Sequence, residues 1–131
     1  MGNRAVIQFG KDKDAMGIYL HWNGGHESVK AFLDAARDLG IRNDYSYKVA
    51  RIAQIIGNFF GGNCSVGVEL ARKLDADNHD NGVFIVEGFN IVERKFTPAE
   101  AIKPLNEEYY KGVYDAVMEA NKELYKERVY K

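Results

Sequence analysis

The chain has one cysteine, two prolines, three histidines and no lysine- or arginine-rich run. With Cys64 alone there is no intramolecular disulfide and no CxxC pair, which fits a reducing cytosol. A net charge of −1 without a basic stripe argues against duplex nucleic acid as a partner, since that binding draws on many phosphate contacts. No 18-residue apolar run and no N-terminal apolar segment occur, so neither a membrane span nor a signal peptide is expected. Position 6 is Val6, without the hydroxyl that a myristoylation motif needs. A soluble, cytoplasmic protein is the expectation. His21, His26 and His79 share no metal-ligand spacing, so no metal is expected. DADNHDN at 75–81 fails as a calcium loop, with Asp80 and Val86 where glycine and glutamate belong. The GxSxG elbow and both glycine-rich phosphate loops are absent, and no catalytic residue or cofactor suggests itself.

What is present is a chain of 131 residues, 46% hydrophobic and 28% charged, the size and make-up of one folded domain over 1–131. Alternation predicts strands at 3–9 and 17–22, joined by a charged hairpin loop. Val29, Phe32, Leu33, Ala36 and Leu39 mark a first helix that Gly40 ends. A second runs from Tyr45 to Phe60, N-capped by Asn43 or Asp44. Strands at 65–70, 81–87 and 89–96 follow, with Asn81-Gly82 read as a type I′ hairpin turn. Thr97-Pro98-Ala99-Glu100 has the form of a capping box opening a short helix, and Asn106 can cap the last helix. The order ββααβββα predicts an α+β fold: an antiparallel sheet of about five strands with helices on one face.

Three features suit a flat, polar, anionic ligand. Tyr47, Arg51, Gln54 and Asn58 share one helical face that runs into GNFFGGN at 57–63. There an arginine can fork onto a phosphate, although an ordinary helix boundary has the same look. In HWNGG at 21–25, Trp22 offers a stacking ring, and Asn23 and Gly24 begin a turn with free amides; a core tryptophan before a tight turn reads the same way. Asn90, beside apolar neighbours in FNIVERKF, is an exposed edge residue or an adenine-reading amide.

NRAVIQF, GIYLHWNGG, ARIAQIIGNFFGG and DNGVFIVE together resemble the first described type of phage Thoeris anti-defence proteins. The resemblance spans Asn3 to about Phe96 and rests on the overall pattern, not on one specific motif. It implies a sponge that sequesters a glycocyclic ADP-ribose signal without cleaving it, and a cyclic trinucleotide at a separate site in some members. It further implies a dimer-based homo-oligomer, up to a hexamer, in the cytosol of a bacterial host. On this resemblance Trp22 and Phe84 become stacking rings, Arg51 the phosphate ligand and Asn90 the polar reader. The departure is the second arginine for a diphosphate: the last helix offers only Arg128, and Arg94, Arg42 or a lysine would have to substitute.

A competing reading is a protein-binding inhibitor of a host factor acting through the tyrosine-rich last helix. That helix carries Tyr109, Tyr110, Tyr114, Tyr125 and Tyr130, a surface suited to an interface or to packing on its own sheet. A third is a small nucleotide hydrolase or cyclase.

Overall fold

The structure, a computed structural model, describes residues 2–62 and 65–124. Asn63, Cys64, Tyr125, Arg128 and Tyr130, all named above, lie outside the described residues. The elements are β1 (Ala5–Phe9), β2 (Met16–Leu20), α1 (His26–Asp38), α2 (Tyr45–Phe60), β3 (Val66–Leu70), β4 (Val83–Glu87), β5 (Asn90–Lys95) and α3 (Glu107–Ala120). Their order is the expected ββααβββα in a five-stranded sheet ordered β3-β2-β1-β4-β5.

The sheet is mixed, mostly antiparallel, because β1 and β4 pair in parallel. Asn81-Gly82 therefore does not turn a β3–β4 hairpin. A parallel neighbour needs a connection of about a dozen residues or more, and residues 71–82 carry the chain from the edge strand to the side of β1. Fully buried Asn78 holds this connection. Its Oδ1 accepts from the amides of Asp80, Asn81 and Gly82, and its Nδ2 donates to the carbonyls of Asp75 and Gly82. Gly82 has φ +69°, and a Cβ there would stand 2.2 Å from the carbonyl of Lys95. That glycine is needed for close approach, not for a hairpin turn.

Alternation along the strands divides the sheet between two cores. Ala5, Ile7, Phe9, Ile18, Leu20, Phe84 and Val86 meet the helices, while Val6, Val83 and Ile85 meet Ala71 on the other face. Helix α1 is buried from Ala31 to Ala36, lying between the sheet and α3. Its alanines allow that close approach. Buried Asp34 survives there because Lys30, Arg37 and the hydroxyl of Tyr110 all donate to it. The hydroxyl of Tyr114 donates to Asp38. Two of the three described tyrosines of α3 are thus spent within the chain, and Tyr109 stays exposed.

Gly40 ends α1 as expected, with φ +76° and the amides of Gly40 and Ile41 bonding back to Arg37 and Ala36. Asn106 caps α3 through the amide of Tyr109. Asp44 occupies the N-cap position of α2 without a side-chain cap bond and pairs with Arg42 instead. The capping box at Thr97 does not form. Its hydroxyl donates to the carbonyls of Asn81 and Lys95, and only a 3-10 turn, Ala99–Ala101, follows before Pro104.

Candidate functional site

Three hollows of about 190, 270 and 370 Å³ meet at His26, the first residue of α1. The first and third share Ile91, and the second and third share Lys103, so the three form one cleft between α1, β5 and residues 100–103. Phe89, Asn90 and Lys30 stand at one end of it, and Asn3 and Asn81 at another. Arg94 lines the third hollow.

Arg94 is the unusual group. Its guanidinium lies 3.9 Å over the ring of Phe84, and Nη2 donates to the carbonyl of Asn81. Its Nε is buried with no hydrogen-bond partner, and among the described residues no carboxylate comes within ion-pair distance. Burial holds its pKa below the ordinary arginine value. A half-buried cation without a counter-charge is costly unless something else supplies the charge.

A bulge aims it there. Ile85 of β4 faces Glu93, yet Val86 faces Ile91, so Val92 is an extra residue on β5. Plain alternation would put Ile91 and Arg94 on opposite faces. With Val92 inserted, both lie on the helix side, and Arg94 rather than Glu93 pairs with Phe84. His26 stands 6.2 Å from the same ring, centroid to centroid. Burial first, and the positive charge of Arg94 second, push its imidazole below the usual value. Gly25, the N-cap of α1, offers no side-chain cap to the first-turn amides.

The residues singled out in the sequence do not gather in one place. Asn90 pairs with Glu87 at the hairpin end, is exposed, and borders the cleft. Phe84 lies beneath the cleft, but it is fully buried with Arg94 against its ring, so a ligand has no open face to stack on. Gly24 adjoins the cleft, but its amide donates to the carbonyl of Asn3, and a Cβ would sit 2.5 Å from that oxygen. The start of β1 fills the room expected there for a ligand. Asn23, with φ +57°, donates to the hydroxyl of Ser28 and braces the first turn of α1. Trp22 is 41% exposed, edge-on to His21.

Arg51 and Asn58 are elsewhere. Arg51 is exposed on α2, bonded to Gln54, and lines neither the cleft nor the hollow beside Phe59. Asn58 donates to Asn121, which is buried and itself donates to the carbonyls of Ile55 and Val117. It ties α2 to α3 and does not face the cleft. Phe59 and Phe60 both pack on Phe32, so the aromatic pair of GNFFGGN is a core anchor.

Sequence reading missed His26 and gave Arg94 only as a possible substitute. His26 sits in a helix-start position where a polar residue is unremarkable, and nothing in FNIVERKF announces a bulge. Lys30, Arg94 and Lys103 line the cleft together with Glu27, Asp34, Glu93 and Glu100, and the Arg94 guanidinium is the part of it suited to an anion. No carboxylate hydrogen-bonds the ring of His26 among the described residues to orient it as a base, and Asp34 already accepts three donors. No three His, Cys, Asp or Glu side chains gather as a metal site among the described residues, and no described helix is long and apolar enough to cross a membrane. Comparison with protein-family models, with curated proteins and with solved structures gives no match.

Proposed function

We propose that this protein binds a small phosphate-bearing nucleotide in the cleft around His26 and holds it uncleaved. The observation that carries the reading is Arg94, a half-buried cation over Phe84 with no carboxylate partner among the described residues. A bound phosphate would supply the missing charge and accept from the terminal guanidinium nitrogens, Nε being buried out of a ligand's reach. His26 and Lys103 stand on the same cleft, and the apolar wall of Ile91 and Phe89 with Asn90 suits a flat polar ring.

The sequence resemblance narrows this proposal to sequestration of a glycocyclic ADP-ribose signal of Thoeris defence, in the cytosol of a phage-infected bacterium and as a homo-oligomer. Arg94 takes the phosphate role that Arg51 was expected to fill. The inhibitor reading draws less support, since Tyr110 and Tyr114 bond to α1 of their own chain.

Calorimetry with ADP-ribose and cyclic ADP-ribose tests the proposal, using wild type and Arg94→Met. Methionine keeps cover over Phe84 and removes the charge. Binding should weaken by roughly 2–4 kcal/mol while the melting temperature holds or rises. A wild type blind to both nucleotides, or a variant of full affinity, would sink the proposal.

A further inference from the structure

Among the described residues, Lys48 is a second cation that burial leaves without a counter-charge. It lies on the apolar stripe of α2, one turn before Ile52 and two before Ile55, and is 6% exposed. Its ammonium donates to Asn43 Oδ1 at 3.1 Å and to the carbonyl of Gly88 at 3.2 Å, and stands 5.8 Å from the centre of the Phe89 ring. Both acceptors are neutral, and no carboxylate is within ion-pair distance among the described residues. Burial alone holds its pKa below the ordinary lysine value.

Gly88 and Phe89 are the two-residue turn between β4 and β5. Glu87 faces Asn90 across it, and Gly88 has φ +63° while Phe89 does not enter the positive range. Glycine first and an ordinary residue second is the II′ pattern. Phe89 and Asn90 then form the wall of the cleft across from His26 and Lys30. The only described side chain that hydrogen-bonds a backbone group of this turn is Lys48, reaching over from α2.

We infer that Lys48 is a positioning residue of the cleft, retained at a cost to stability because it fixes the Gly88-Phe89 turn and hence the Phe89–Asn90 wall. A methionine of similar length would fill the same apolar slot without desolvating a charge. Asn43 is exposed and Gly88 half-buried, so both acceptors can turn to water when the amine is gone. Proteins tolerate such a burden where the site needs it. The inference rests on the nucleotide reading for its ligand, but its effect on the turn is measurable without one.

The test is Lys48→Met, read three ways: melting temperature, affinity for ADP-ribose, and ¹⁵N relaxation at Gly88, Phe89 and Asn90. Expected are a melting temperature equal to or above wild type, affinity down by about tenfold or more, and new motion confined to the turn. A turn as rigid as in wild type, or undiminished affinity, overturns the inference. So does a lower melting temperature with loosening throughout the chain, which would make the amine a plain structural tie. Wild type that binds no ADP-ribose would instead overturn the nucleotide reading, while the relaxation result still decides whether Lys48 holds the turn.

Discussion

At the scale of single residues, the titratable groups of the cleft differ in their partners: Lys30 pairs with Asp34, while Arg94 has no carboxylate within ion-pair distance among the described residues. His26 is the one whose charge changes near neutral pH. Its folded value lies below the usual 6.5, by burial first and by Arg94 second. The folded state therefore takes up its proton later than the unfolded chain as pH falls. Above pH 6.5 the group contributes nothing to the difference, and stability is lost as pH drops from there through the folded value. Denaturant melts of wild type and His26→Gln between about pH 7.5 and 5.5 should show the variant losing less stability on acidification. Parallel slopes would place His26 outside any linkage. A bound phosphate reverses the sign, since a nearby anion favours imidazolium. Nucleotide affinity should then rise toward pH 6 in wild type and stay flat in His26→Gln, as calorimetry would report.

At the scale of elements, two irregular segments do more than the regular ones to build the site. The Val92 bulge chooses Arg94 over Glu93 as the neighbour of Phe84. A one-residue slip would set a carboxylate where the cation now lies. The 71–82 connection brings Asn81 and its carbonyl to Arg94, and Asn78 bonds five polar groups of its backbone, two of which also pair with Arg4 and Val6. Asn78→Ala should cost about 3 kcal/mol, lowering the melting temperature by roughly 10 °C. A shift near zero in calorimetric melting would mean that water replaces the amide without loss. By contrast residues 57–62 of GNFFGGN, conspicuous in the sequence, are a helix end: Gly61 closes α2 at φ +68°, and the two phenylalanine rings pack on Phe32.

At the scale of the whole molecule, a mixed sheet carries α1 and α2 against one face, with α3 packed on those two helices, and leaves β3 and β5 as edges. The cleft lies beside β5, one of those edges. If the protein is a sponge, it should leave its expression host with cargo. Native mass spectrometry of protein co-expressed with a TIR-domain signal synthase should show a retained small molecule and the subunit stoichiometry together. Heating should then release that molecule chemically intact. A cleaved product would favour the hydrolase reading, and an empty protein would argue against sequestration.

The sequence by itself determined the elements. Hydrophobic period, Gly40 at the end of α1 and Asn106 at the start of α3 are local signals, and each acts within a turn or two of chain. It also exposed the polar residues available, Asn90 and Arg94 among them. Only the tertiary structure decided which of them meet. Asn58 and Arg51 share a helical face, but α3 lies close enough for Asn121 to claim the first, while the second stays in solvent. Phe84 looked like a stacking ring and is instead the floor beneath Arg94. Strand order, the β1–β4 pairing and the Val92 bulge depend on contacts between residues far apart in the chain. A periodicity of two or 3.6 residues carries no information about such partners, and the cleft at His26 is made by them.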